Sequence, residues 1–282
     1  YQFMYNKLRY YVLALAAGFF LMQSCAVFQG KKDERSAKKE KSKDGLKPYS
    51  KIITKDARSD EGLFTVHQVK DKYYFEIPDS LFNREMLMVS RIAKTAAGMG
   101  FGGGKQNEQV LRWQKNGKKV NLRVVSYQVY AADSLPVHEA VENSNFEPVL
   151  HSFGIKTKKE DSVKNTTVIR VDDFFNGDVK PLTINQSYRK RYKISRIDKD
   201  RSYLDTLRSY PENIEIRATK TYSAKKPPSN SSLQSVSVQM SNSMVLLPKE
   251  PMERRYFDQR VGWFARGQTD YGLDAQESKK VK

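Results

Sequence analysis

Asn116-Gly117 stands between two runs of alternating side chains, Gln109-Val110-Leu111-Arg112-Trp113-Gln114 and Val120-Asn121-Leu122-Arg123-Val124-Val125. A two-residue turn of this chemistry accepts positive φ and matches the right-handed twist of the strands on either side, so it commits the chain to an antiparallel hairpin. The pattern repeats upstream. Leu63-Phe64-Thr65-Val66-His67-Gln68-Val69 and Lys72-Tyr73-Tyr74-Phe75-Glu76-Ile77 flank a second two-residue turn, Lys70-Asp71, and Met86-Leu87-Met88-Val89-Ser90-Arg91-Ile92 supplies a third strand. Further strands are expected over 165–171, 187–197, 213–223, 234–240 and 243–247, with only 136–143 and a short turn at 172–175 reading as helical. The 16 Tyr and 14 Phe supply the bulk that a β-rich core needs. The expected fold class is mainly β (α+β at most), an antiparallel sheet-rich domain preceded by a signal peptide and a flexible tether.

The N-terminal region reads differently. From Met4, taken as the start, Lys7 and Arg9 form a positive region and residues 10–22 an apolar run. A spanning helix needs about 20 apolar residues, so this run suits a signal-peptide core better than a membrane span. The single cysteine, Cys25, follows at once in Leu21-Met22-Gln23-Ser24-Cys25, which resembles the lipoprotein signal of bacteria, where the cysteine becomes the acylated first residue of the mature chain. One cysteine allows no intramolecular disulfide. Residues 26–51 are rich in Lys, Glu, Asp and Ser and read as a flexible charged linker. The expected location is the cell envelope, with the chain exported and lipid-anchored at Cys25. The net charge of +18 attracts anionic partners and says nothing of the fold. For an exported chain it reads as a solvated basic surface, and nucleic acid is not an expected partner.

No motif for catalysis or metal binding emerges. His138-Glu139-Ala140-Val141-Glu142 begins like the zinc-protease helix H-E-x-x-H, but Glu142 stands where the second histidine ligand belongs. His67 falls in strand alternation and reads as a packed or edge histidine, and His151 has no acidic neighbour in Pro148-Val149-Leu150-His151-Ser152-Phe153. Gly98, Gly100 and Gly103 form a G-x-G-x-x-G, yet they lead toward the strand at Gln109, so no helix N-terminus awaits a pyrophosphate. Tyr188-Arg189-Lys190-Arg191-Tyr192-Lys193, read as a strand, puts Arg189, Arg191 and Lys193 on one face and Tyr188 and Tyr192 on the other, with the tyrosines toward the core. The site prediction is therefore no catalytic, cofactor-binding or metal-binding residue in this chain, and lipidation at Cys25.

A series of segments, in order, carries a family likeness. Tyr73-Tyr74-Phe75-Glu76-Ile77-Pro78 leads to Leu87-Met88-Val89-Ser90-Arg91-Ile92 and a glycine loop; Val171-Asp172-Asp173-Phe174-Phe175-Asn176-Gly177-Asp178, Ser202-Tyr203-Leu204, Tyr210-Pro211-Glu212-Asn213-Ile214-Glu215-Ile216 and Thr221-Tyr222 follow. Leu246-Leu247-Pro248, Pro251-Met252 and Asp258-Gln259-Arg260-Val261-Gly262-Trp263-Phe264 close the series. Together, from about residue 50 to the C-terminus, they resemble bacterial envelope zinc-dependent metalloproteases, in which two N-terminal domains of unknown function precede a metzincin-like catalytic domain. The resemblance implies a longer parent that hydrolyses peptide bonds with zinc-bound water. The family's H-E-x-x-H-x-x-G-x-x-H motif is absent here, so zinc is implied for the parent and for no residue of this chain.

The expected organisation is a signal peptide over 1–25, the linker over 26–51, a small β-hairpin unit over 52–95, a β-rich accessory domain over 96–275 and a polar tail over 276–282, which suits a truncated or partial chain. The expected role is a β platform for the missing catalytic domain, whose partners are that domain, the membrane through the lipid, and a protein or peptide substrate. The alternative is a stand-alone envelope lipoprotein module that binds peptidoglycan or polysaccharide.

Overall fold

A computed structural model describes residues 45–160, 164–253, 255–262, 264–272 and 280–281. Cys25, the apolar run over 10–22 and the tail over 276–279 lie outside the described residues. The chain divides into two units, Tyr1–Gly45 and Leu46–Lys282, and every element named below belongs to the second.

The strands are β1 (Arg58–Asp60), β2 (Thr65–Val69), β3 (Lys72–Pro78), β4 (Glu85–Lys94), β5 (Lys105–Asn116), β6 (Lys119–Val125), β7 (Val129–Tyr130), β8 (Val149–Lys159), β9 (Thr166–Arg170), β10 (Ile194–Ser209), β11 (Asn213–Ala224) and β12 (Ser235–Leu246). Three two-residue strands end the series: β13 (Arg266–Gly267), β14 (Thr269–Asp270) and β15 (Lys280–Val281). Four short helices interrupt them, α1 (Tyr49–Ile52), α2 (His138–Ser144), α3 (Asp172–Asn176) and α4 (Gln186–Tyr192). Among the described residues no helix is long and apolar enough to cross a membrane.

Eleven strands form one sheet in the order β1-β2-β3-β9-β8-β6-β5-β4-β12-β11-β10. Every neighbouring pair is antiparallel. The fold is thus mainly β, and the sheet curls until it is nearly closed. At the seam the backbone N–H of Leu63 donates to Tyr210 O at 2.7 Å, the N–H of Ser209 donates to Asp60 Oδ2 at 3.0 Å, and Ser209 Oγ donates to Phe64 O at 2.7 Å. The expected Asn-Gly hairpin forms between β5 and β6 one residue along: Asn116 pairs with Lys119, so Gly117 and Lys118 make the turn, with Gly117 at φ +58°.

Strand alternation fills the inner face. β12 buries Val236, Val238, Met240, Asn242 and Met244, and β11 buries Ile214, Ile216, Ala218, Lys220 and Tyr222. An aromatic cluster packs at the centre: the Trp113 centroid lies 6.1 Å from Phe64, 6.2 Å from Phe75 and 5.4 Å from Phe153. Phe174 and Phe175 of α3 complete it, with Phe175 at 5.7 Å from Phe75 and Phe174 at 5.2 Å from Phe153. Edge-to-face packing of this kind leaves an interior of side chains rather than a lumen. On the outer face α1 covers β3 and β9, where Ile53, Tyr74 and Val168 form a small cluster of their own.

Two strand expectations change. The expected strand over 187–197 is largely the helix α4: Asn185 caps it by accepting from the N–H groups of Ser187 (3.1 Å) and Tyr188 (3.2 Å), and Lys193 ends it in the left-handed region at φ +48°. An N-cap satisfies backbone donors that a strand would have to pair, and it outweighs a few residues of alternation. The expected strands over 234–240 and 243–247 are one strand, because Asn242 faces inward in the ladder opposite Ser90 and Ile216 instead of turning the chain.

Candidate functional site

β5 and β6 bury Leu111, Trp113 and Leu122 on the inner face and therefore turn Arg112, Gln114 and Arg123 outward. Arg112 and Arg123 are directly opposite each other in the β5–β6 ladder. The short helix α2 and residues 145–147 lie over them and border an open cavity of about 460 Å³, with Val129, Ala131 and Val141 beside Tyr130, His138 and Asn145 in its wall. Glu147 reaches the floor, pairing with the Arg112 guanidinium, while Arg123 Nη1 donates to the Glu147 carbonyl at 2.6 Å and Arg123 Nε to Gln114 Oε1 at 2.7 Å. Phe146 stacks on Arg123, its centroid 4.6 Å from the guanidinium carbon. A second, smaller cavity of about 200 Å³ sits at the sheet seam between β1 and β10, with Arg58, Asp60, Asp205 and Arg208 in its lining.

The three histidines go to separate surroundings. His138 Nδ1 donates to Ala131 O at 3.0 Å at the edge of the large cavity, and Glu142 is its i+4 neighbour at 3.9 Å. His151 packs against Phe153 and Phe174 at 4.4 and 5.0 Å, and partial burial lowers its pKa. His67 is buried under α1, with Nδ1 2.7 Å from Ser59 Oγ and Nε2 2.9 Å from Glu76 Oε2. Glu76 also accepts from Tyr49 Oη at 2.6 Å and Thr166 Oγ1 at 2.7 Å. Burial opposes ionisation of Glu76, but these hydrogen bonds, led by His67, outweigh it and hold the carboxyl at about 2. Since the carboxylate is ionised, Nε2–H of His67 donates to it, while Nδ1 and Ser59 Oγ share the second hydrogen bond. The network ties α1, β1, β2, β3 and β9 together, and covalent chemistry would need an approach to His67 that α1 blocks. Among the described residues no group of three or more His, Cys, Asp or Glu side chains is placed to hold a metal ion.

Lys220 was not singled out by sequence, being one of many lysines. It faces the interior from β11, and its Nζ donates to Gly177 O at 2.8 Å and Leu182 O at 3.2 Å. Desolvation lowers its pKa to about 8. Ser90 Oγ holds Pro181 O at 2.8 Å in the same way, so the inward polar side chains cap carbonyls of the segment following α3. The basic–aromatic cluster is correspondingly rearranged. Arg189 turns into the fold to form a bidentate pair with Asp178 and to lie 5.3 Å from the Tyr222 ring, while Lys190, Arg191 and Lys193 stay exposed. Tyr188 and Tyr192 stack at 6.2 Å across one turn of α4. The one-face arrangement of Arg189, Arg191 and Lys193 does not exist, because a helix separates residues that a strand would align. The glycine loop at 98–104 joins β4 to β5 directly and opens no helix.

The nearly closed antiparallel sheet is filled by aromatic side chains, and the two cavities described lie on its outer face and at its seam. Residues 103–282 match the family described as Domain of unknown function (DUF5117), and residues 46–95 match Domain of unknown function (DUF5118). The first match covers more than half of the chain, which therefore belongs to the DUF5117 family. No curated protein and no solved structure matches it.

Proposed function

We propose that this chain is the non-catalytic β platform of a cell-envelope zinc-dependent metallopeptidase, exported and lipid-anchored at Cys25, against which a catalytic domain of the same polypeptide packs. The likeness of its ordered segments to that family supports the reading, as does the fact that those segments include core positions such as Phe75, Phe174 and Tyr222. The observation that carries it is a series of exposed apolar side chains beyond the last long strand. Phe264 is 99% exposed, Met252 76%, Val261 56% and Tyr271 56%, all within one stretch after β12. Exposed apolar side chains of this size and number suit contact with another folded body.

The test compares the chain with the same chain extended through its downstream reading frame, assaying zinc by atomic emission and cleavage of a casein substrate. Zinc and cleavage confined to the extended chain are the expected result. Zinc-dependent cleavage by the chain alone, or an extended chain that neither binds zinc nor cleaves, rejects the platform role. The anchor has its own assay: metabolic labelling with palmitate is expected to mark the chain, and Cys25→Ala to abolish the label. An unlabelled wild-type chain removes the lipid from the proposal.

A further inference from the structure

The cavity under α2 plays no part in the platform role, and it is built as a ligand site. Its volume of about 460 Å³ lies within the range of small-molecule pockets, about 300–1,000 Å³. Val129, Ala131 and Val141 form an apolar part of a wall that also carries Tyr130, His138 and Asn145, and Arg112, Gln114 and Arg123 lie on the floor. Like charges directly opposite on an antiparallel pair repel, so Arg112 and Arg123 need anions. Glu147 brings one carboxylate, and it spends that carboxylate on Arg112 while offering Arg123 only its main-chain carbonyl. Glu85 of β4 stands opposite Arg112 on its other side, so the carboxylates gather at Arg112, while Arg123 is met by the Gln114 amide, a main-chain carbonyl and the Phe146 ring. Phe146, 75% exposed, lies against the Arg123 guanidinium, so an entering molecule meets an aromatic face and a charged fork together. The other acid in the lining, Glu142, stands on α2 with its side chain 72% exposed, at the rim and not on the floor.

A guanidinium fork matches a planar carboxylate, and an apolar wall beside it matches a hydrocarbon group on the next atom. We infer that the cavity binds a carboxylate carried on an apolar or aromatic group, with Arg123 as its principal partner. Two sources share that chemistry, a free organic acid and the C-terminal residue of a peptide. The bound carboxylate supplies Arg123 with the anion that its protein contacts do not, and Phe146 and Val141 cover its apolar part.

The experiment is calorimetric titration of the 282-residue chain with N-acetyl-phenylalanine, with its C-terminal amide, and with N-acetyl-Ala-Ala-Phe. The acid is expected to bind saturably and the amide about tenfold more weakly, since the amide cannot use the charged fork. Arg123→Gln should weaken the acid by about tenfold as well. Because that change also frees the 145–147 segment, Val141→Trp supplies an independent arm: it fills the cavity from α2 with both arginines intact and should abolish binding. Tighter binding of the tripeptide than of the acetylated amino acid identifies a peptide terminus as the ligand source, and equal or weaker binding a free acid. Equal binding of acid and amide, absence of saturable binding in the millimolar range, or wild-type affinity in both variants overturns the inference.

Discussion

Two buried ionisable residues show how one sheet places charge. Lys220 is fully enclosed and donates to two main-chain carbonyls, and burial pulls its pKa from the ordinary 10.5 to about 8. Between those values the unfolded chain binds more protons than the folded one, so stability rises with pH from about 8 to 10.5. The gain amounts to about 3 kcal/mol. Lys220→Met should flatten that rise in urea denaturation across the window, and an unchanged slope would falsify the assignment. Glu76 works in the opposite sense. Its hydrogen bonds from His67, Tyr49 and Thr166 depress the folded pKa from 4.5 to about 2, so its stabilisation is present above 4.5 and is lost as pH falls toward 2. Glu76→Gln is expected to lower stability at neutral pH and to lose less on acidification than the wild type. Acid titration followed by near-ultraviolet circular dichroism checks it, and parallel curves for the two proteins would refute the role. Of these residues the sequence exposes only His67, through alternation. The rest of its network comes from strands and a helix far apart in the chain, and nothing local reports that Tyr49 and Thr166 converge on one carboxylate.

At the level of elements, turns and caps decide most of the outcome. The hairpin between β5 and β6 was legible because Gly117 tolerates positive φ, and no atom would meet a Cβ there. Gly117→Ala should therefore cost about 1 kcal/mol through backbone conformation alone, read from the urea midpoint. A change below a few tenths would show that the turn relaxes. Gly62 poses the opposite case: a Cβ would stand 2.6 Å from Ser209 Oγ and 2.7 Å from Tyr210 O, at the point where the two ends of the sheet meet. Gly62→Ala is expected to cost about 1–3 kcal/mol and to speed amide exchange at Leu63, whose N–H bonds Tyr210 O. Unchanged exchange would mean that the seam does not depend on this approach. β8 and β10 escaped the sequence reading for identifiable reasons. β10 carries charges along much of its length and three register shifts against β11, which blur its period, and β8 buries Phe153, Ile155 and Thr157 on one face with lysines on the other. α4 escaped because Tyr188, Arg189 and their neighbours alternate as well as they cycle, and only the capping Asn185 distinguishes the two.

On the scale of the whole molecule, the apolar residues after β12 bear on solution behaviour. If a folded partner covers Met252 and Phe264, the isolated chain should self-associate, and Met252→Ser with Phe264→Ser should reduce this in sedimentation velocity. A wild-type chain that sediments as a monomer at high concentration contradicts the docking role. The mainly β class, the antiparallel pairing at β2–β3 and β5–β6, and the lack of a helix after the glycine loop were all determined by the sequence, because turn chemistry and a two-residue period act between neighbours. The order of the eleven strands, the closure at Gly62, the inward turn of Lys220 and Arg189, and the arginine pair under α2 were decided only by the tertiary structure. Each depends on which distant strand arrives beside which, and that is set by burial of the common aromatic core and not by any local propensity.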